Sequence, residues 1–275
     1  MCPCKISEFR KIINPVSDQF SFTRVECSQV KDIVNSIPNK KAPGIEKVSP
    51  RLIKESLAII VPSITSIINA SLRSRVFATS WIRKIAEVWP ILKRNSDHEE
   101  ASNYRPISLL PILSKVCERV VQLTLYLASN QRISVKQSGN KRWHSTETSL
   151  ISTTDFILRT VDQKKITAVV YFDINKAFES IKHVILLKKT WEHRSISLCS
   201  PVVRKRYQAV RINSVLSDKL PVVNDVPRGS VLGAFLFSIY VNDLPNVCQN
   251  CSTACYVDDT KLLSSFTVND SAHAI

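Results

Sequence analysis

The sequence predicts an α+β fold, on three observations. Helical and strand-like apolar patterns alternate irregularly along 275 residues, unlike the even strand–helix alternation of a doubly wound sheet. Residues 166–172 form a β-branched and aromatic run that stops on Asp173, as a buried strand would. Near the C-terminal end, the apolar runs 253–257 and 262–263 flank Asp258-Asp259, the signal of a strand, a tight turn and a second strand. No internal repeat, heptad run or low-complexity linker interrupts this pattern.

Taken in order, residues 1–28 have no clear period and read as a peripheral entry segment. Residues 30–37 repeat apolar side chains at helical spacing and stop at Pro38, before a basic turn over 39–44. Ser49-Pro50 starts a helix with a small polar cap and proline at the first helical position. That helix is predicted over 51–60, and Pro62 is predicted to start another reaching Arg75. Residues 85–93 read as a strand and lead through a polar loop to Asn103. Residues 113–128 and 146–161 carry helical spacing, separated by the polar, basic stretch 129–145. A helix is predicted over 176–189 after the strand that ends at Asp173. Residues 191–201 have no sustained period. Val222-Val223 lead through residues 225–230 into a predicted helix over 231–243, ahead of the closing hairpin.

The charge narrows the function. The chain carries 38 Lys and Arg against 23 Asp and Glu, a net +15. From Ile212 onward there are three Lys/Arg (Lys219, Arg228, Lys261) against six Asp. By difference, the first 211 residues hold 35 basic and 17 acidic side chains, a balance of +18. A basic body points to a polyanionic partner, nucleic acid before a membrane surface. The longest apolar segment, 231–241, is broken by Ser238 and is too short to span a bilayer, and residues 1–10 hold no secretory apolar run. An intracellular location, cytoplasmic or nuclear, is expected, with no membrane partner. The eight cysteines lack a histidine at zinc-finger spacing. Thiols of a reducing compartment are therefore expected.

Adjacent aspartates repel, so a fold gains little from pairing Asp258 with Asp259 unless a cation lies between them. The bland alternative is a solvated turn. If the strand ending at Asp173 neighbours the hairpin, three carboxylates meet at one sheet end. Three hard oxygen donors without His or Cys suit Mg²⁺ and not zinc. Two such ions about 4 Å apart serve phosphoryl transfer by activating the attacking hydroxyl and steadying the leaving oxygen.

The motifs around these carboxylates resemble those of reverse transcriptases. Phe172-Asp173-Ile174-Asn175-Lys176-Ala177-Phe178 and Tyr256-Val257-Asp258-Asp259 are similar to the family's two metal-binding motifs. Between them, Val226-Pro227-Arg228-Gly229-Ser230-Val231-Leu232-Gly233 resembles the turn and helix beneath primer and nucleotide. Upstream, Asn103-Tyr104-Arg105-Pro106-Ile107-Ser108 resembles the fingers motif of non-LTR (LINE-type) retrotransposon polymerases. Lys41-Ala42-Pro43-Gly44, and Gln137-Ser138-Gly139 with His144-Ser145-Thr146, belong to the same pattern. The six motifs stand in the family's order between about residues 38 and 265.

The resemblance implies a right-hand polymerase with fingers and palm, and an RNA-directed DNA polymerase activity. An N-terminal helical extension over 1–37, a fingers-like region over 38–165 and a palm over 166–275 would follow. The reverse transcriptase domain itself would start near residue 80 and lack its thumb. Asp173 and Asp258 would be the principal ligands of two Mg²⁺ ions (Mn²⁺ as a substitute). Asp259 would complete the cluster, with the Ile174 backbone beside the metal and triphosphate. Phe178 would underlie the sugar and exclude a 2′-hydroxyl. Lys93 and Arg105 would clamp the triphosphate, Arg by its planar fork. Gly229 would permit a close backbone approach to the nucleotide. Partners would be an RNA template, a DNA primer and deoxynucleoside triphosphates.

Each residue also has a plainer reading. Phe178 can be ordinary core, Arg105 a solvated loop cation, Gly229 a turn glycine and His144 an exposed side chain. The sequence departs from the family's pattern as well. Arg228 replaces the usual Gln in the nucleotide-binding turn, where it would crowd or repel Arg105. Asn140 replaces an aromatic, Ala234 a proline, and Glu179 an aspartate, and the stretch 195–203 looks shortened. These departures leave a second expectation open, a catalytically dead nucleic-acid-binding remnant of such a polymerase.

Overall fold

The computed structural model describes residues 24–74, 85–129, 133–141, 143–192 and 207–267. The predicted entry segment up to residue 23 and the shortened stretch 195–203 lie outside them. The elements run α1 (Cys27–Ser36), α2 (Pro50–Glu55), α3 (Leu57–Ser74), β1 (Ile85–Leu92), β2 (Tyr104–Leu109), α4 (Ile112–Ser129) and α5 (Thr146–Asp162). They continue with β3 (Ile166–Phe172), α6 (His183–Glu192), β4 (Tyr207–Ile212), β5 (Val215–Leu216), β6 (Leu220–Pro221), α7 (Val231–Tyr240), β7 (Ser252–Tyr256) and β8 (Asp259–Phe266). The α+β expectation holds.

Local chemistry sets most helix starts. Ser49 accepts a hydrogen bond from the Leu52 amide (3.2 Å) ahead of Pro50. At α5 the Ser145 hydroxyl accepts from the Thr148 amide (3.3 Å), and Thr148 returns the favour to the Ser145 amide (2.9 Å). These reciprocal bonds satisfy amides that lack intrahelical partners. Pro62 lies inside α3 and does not start a helix of its own. Its missing hydrogen bond would have joined Ala58, and both residues are exposed, so the freed carbonyl is not buried without a partner. By length and composition α3 is apolar enough to cross a bilayer, which corrects 231–241 as the longest apolar element. Its Leu57, Ile64, Ile68 and Leu72 are nevertheless core residues.

One hydrophobic core joins Val30 and Val34 of α1, Ile64 and Ile68 of α3, Ile112, Val116 and Val120 of α4, and Leu232, Phe235 and Leu236 of α7. The strands form two sheets. In the first, the order is β2-β1-β4-β5, with β6 also on β4. β1 pairs antiparallel with β2 and parallel with β4, Ile85 opposite Tyr207 and Val88 opposite Val210. The second has the order β3-β8-β7, all antiparallel.

Three further expectations need correction. The helix predicted over 176–189 is a run of turns to Ser180, and α6 starts only at His183. Lys176 takes a left-handed φ of 53°, which breaks any helix there. Strand β3 is not buried: Val170, Tyr171 and Phe172 are exposed because β3 forms an edge of its sheet among the described residues. Cys248 and Cys251 are disulfide-bonded, against the expectation of free thiols. The bend at 249–250 brings their Cα atoms to 5.8 Å, inside the range a disulfide spans. Cys27, Cys117 and Cys255 are free, the last two buried.

A buried ion pair fastens the parallel junction. Glu87 on β1 is 1% exposed and accepts from Arg211 Nε of β4 (2.6 Å) and from Trp89 Nε1 (2.9 Å). Burial pushes the Glu87 pKa up, but these donors outweigh it and leave the carboxyl below its ordinary value. A depressed carboxylate stabilises the fold above the unfolded pKa, and that contribution is lost as pH falls through the folded value. Glu87→Gln should therefore cost about 2 kcal/mol at pH 7. In urea unfolding the gap to wild type should narrow as pH drops below about 4.3. A gap independent of pH would contradict the assignment.

Candidate active site at the end of the three-stranded sheet

The β3–β8 register places Phe172 opposite Thr260, and the β7–β8 register places Tyr256 opposite Asp259. The ladder ends at that pair, so Asp173, the next residue after Phe172, leaves the sheet at the same end at which β8 begins with Asp259. Asp258 occupies the two-residue turn between the strands. Carboxylates from two segments more than 80 residues apart, Asp173 and the adjacent Asp258 and Asp259, thus share one sheet end. Asp173 and Asp259 are exposed and Asp258 is half-buried. Among the described residues no three carboxylate, imidazole or thiol groups stand close enough to close around one ion. The strand register brings the aspartates to one sheet end, but their side chains are not gathered into a cluster. In donor type they fit a hard divalent cation.

The turn itself is held under strain. Val257 has a φ of 58°, a left-handed conformation that β-branched residues rarely adopt and that costs on the order of 1–3 kcal/mol. Gln137, 2% exposed, meets both of its backbone polar groups: Oε1 accepts from the Val257 amide (2.9 Å), and Nε2 donates to the Val257 carbonyl (3.1 Å). Alongside, the Cys255 amide donates to Lys136 O and the Ser138 amide to Cys255 O, both at 2.8 Å. Residues 136–138 thereby extend the sheet past β7.

Phe178 lies in the turns after β3, half-buried against the core, its ring stacked on Phe237 at 5.1 Å between centroids. Arg228 sits over the Phe178 ring, 5.8 Å from its centroid, and pairs with Glu179 at 3.4 Å. The two unusual residues, Arg228 and Glu179, thus form an ion pair with each other. Gly229 has φ +117°, and a Cβ there would lie 2.5 Å from the Ser108 carbonyl oxygen. Its close approach is to the β2 backbone, reinforced by the Ser108 amide donating to Arg228 O at 2.7 Å. Ile174 packs on the core beside Asp173.

Lys93 and Arg105 lie on one face of the β1–β2 hairpin. Arg105 faces Ile91 in the register, and the Lys93 amide donates to Asn103 O (2.9 Å), so the two cations are diagonal neighbours. Both are exposed, with the Lys93 ammonium on Ser102 O (3.1 Å). Asn140, the departure from an aromatic, takes φ 58° and donates from Nδ2 to Ala234 O (3.1 Å) and Ser238 Oγ (3.2 Å) of α7.

Glu118 was not legible as a site residue. It is fully buried on α4, and its Oε2 accepts from Ser230 Oγ (2.7 Å), the Val231 amide (2.8 Å) and the Leu232 amide (3.3 Å). A carboxylate there satisfies the first amides of α7 and complements its dipole. Burial, and then the Glu118 charge, push the neighbouring Cys117 thiol up to about 12. The only signal in the sequence is a charged residue between Cys117 and Val120-Val121, on the apolar side of a helix.

Residues 91–274 match the family described as "Reverse transcriptase (RNA-dependent DNA polymerase)". Among curated relatives, the "Probable RNA-directed DNA polymerase from transposon BS" of Drosophila melanogaster is 29% identical over 95% of this chain and 30% of its own length. The "Probable RNA-directed DNA polymerase from transposon X-element" of the same species is 31% identical over 81% of this chain and 25% of its length. The "RNA-directed DNA polymerase from mobile element jockey" of Drosophila funebris is 29% identical over 88% of this chain and 28% of its length. The chain thus spans 30% or less of each of these relatives. With a family match across two thirds of its length, the chain belongs to the reverse transcriptase family.

Proposed function

We propose that this chain is the fingers and palm portion of a reverse transcriptase of the non-LTR, LINE type. Its reaction would be template-directed addition of deoxynucleoside monophosphates to a primer 3′-hydroxyl. The primer oxygen forms a bond to the α-phosphorus, the bond to the β-phosphate bridge breaks, and pyrophosphate leaves. In this reading the β3-β8-β7 sheet is the palm and the β1–β2 hairpin part of the fingers. One observation carries it: Asp173 shares a sheet end with Asp258 and Asp259, although it lies 85 residues before the first of them in sequence.

Asp173 and Asp258, with Asp259 and the Ile174 backbone, would hold Mg²⁺ or Mn²⁺, which would polarise the phosphate and lower the pKa of the attacking hydroxyl. Phe178, in contact with Phe237 and Arg228, would lie under the sugar and select deoxynucleotides. Lys93 and Arg105 would take the triphosphate on their shared hairpin face. Gly229, through its contact with Ser108, would couple that hairpin to α7. The balance of +18 over the first 211 residues supports an RNA template and DNA primer as partners.

Purified protein with poly(rA), oligo(dT), dTTP and Mg²⁺ should extend the primer. No extension with either Mg²⁺ or Mn²⁺ would overturn the enzymatic reading. The second reading, a binding remnant, draws on the guanidinium of Arg228, held by Glu179 where the family usually carries Gln. Under either reading, RNA affinity should fall steeply with salt, log K losing about 0.7 per phosphate contact for each tenfold rise in salt on a single strand. Affinity that is flat in salt would exclude both.

A further inference from the structure

We propose that Gln137 is the positioning residue of the carboxylate turn: its carboxamide holds Val257 in the left-handed conformation that presents Asp258 and Asp259 at the end of β3. For its kinetic readout this rests on the polymerase reading above, but not for its structural one.

A two-residue hairpin needs a positive φ at its first central position, where glycine or asparagine is usual. This turn has valine there, at φ 58°, with Tyr256 and Asp259 paired on either side. A β-branched residue does not hold that conformation by its own preference. Something outside the hairpin must select it, and the structure supplies one side chain able to do so. Gln137 Oε1 accepts from the Val257 amide (2.9 Å) and from the Gly139 amide (2.8 Å), while Nε2 donates to the Val257 carbonyl (3.1 Å). An amide is the one side-chain group that offers acceptor and donor together in this spacing. It reproduces for Val257 the pair of bonds that Lys136 and Ser138 give to Cys255. The ladder beside β7 thus runs one rung further, through a side chain, just where the main chain turns.

The fit is close on every side. At Gly139 a Cβ would collide with the Val257 amide nitrogen and lie 2.5 Å from its Cγ2 methyl, so only glycine lets the segment lie against the turn. Gln137 itself is 2% exposed, so water cannot replace the amide if it is removed. The consequence falls on the carboxylates because Asp258 is the next residue along and Asp259 the first of β8.

The test compares wild type, Gln137→Met, Val257→Gly and the double variant. Methionine keeps length and volume but makes neither bond. In Gln137→Met, hydrogen exchange at residues 257–259 should quicken about tenfold or more while β3 and α7 keep their protection. Primer–template affinity should stay at the wild-type level and the extension turnover should fall about tenfold or more. Glycine at 257 reaches positive φ freely. In that background the Gln137→Met change should cost less than about threefold in turnover. A purely structural glutamine would lower stability and template affinity together, and glycine at 257 would not relieve it; that result would overturn the proposal, as would unchanged exchange at 257–259. If wild type shows no primer extension, the polymerase reading fails on its own, and the exchange arm still decides the role of Gln137.

Discussion

Asp258→Asn is expected to lower primer extension by about a thousandfold, equivalent to roughly 4 kcal/mol of transition-state stabilisation. Asparagine has nearly the volume of aspartate and sits in a half-buried turn position, so the hairpin should stay folded. What it loses is the charge that would hold a divalent cation between the two strands and the end of β3. Asp173→Asn should behave alike, because the β3–β8 register brings it to the same sheet end. Asp218→Asn, exposed between β5 and β6, should leave extension unchanged. RNA affinity of Asp258→Asn should equal or slightly exceed that of wild type, since a negative charge near phosphate is removed. Retention of more than about a tenth of the wild-type rate would mean that the Asp258 carboxylate takes no part in the chemistry.

Glu118→Leu should be the most damaging change to stability away from the carboxylates, about 3 kcal/mol. Two amides, Val231 and Leu232, and the Ser230 hydroxyl all donate to one buried oxygen of Glu118. Leucine fills the space but accepts nothing, and each stranded buried amide costs about 1–3 kcal/mol. The loss of a negative charge at the α7 N-terminus adds a few tenths more. Against a total stability of roughly 5–15 kcal/mol for a domain, this is a large share. The urea midpoint should fall by about 1 M. Glu118→Gln keeps one acceptor oxygen and should cost about half as much. A leucine variant within about 0.5 kcal/mol of wild type would show that these contacts do not support α7.

Residues whose chemistry is local were the ones legible in the sequence. Ser49-Pro50 announced a helix start, and the apolar runs around Asp258-Asp259 announced a hairpin, because caps and turns are set within a few residues. Family membership followed from motifs in order. Features made by distant partners were hidden. Lys176 to Ser180 carries residues that suit a helix, yet Ala177 and Ile181 reach the core from turns, with the Asp225 amide bonded to Ile181 O. The parallel pairing of β1 with β4 leaves no local trace, since its partners lie 122 residues apart. Gln137 was visible only as part of a motif. That its amide serves Val257 emerges once residues 120 apart in sequence are brought together.

The same β1–β4 pairing has a consequence in time. A ribosome adding about 5–20 residues per second needs roughly 6–25 s to deliver Tyr207 after Ile85 has emerged. Throughout that interval one flank of β1 is bare, an invitation to strands of neighbouring nascent chains. Pro90 blunts it, since the β1–β4 ladder stops at Val88 and proline offers no amide beyond. Pro106, directly opposite on β2, does the same for the outer side of the hairpin. Two prolines that contribute nothing to the finished ladder thus guard the hairpin while it waits for its third strand.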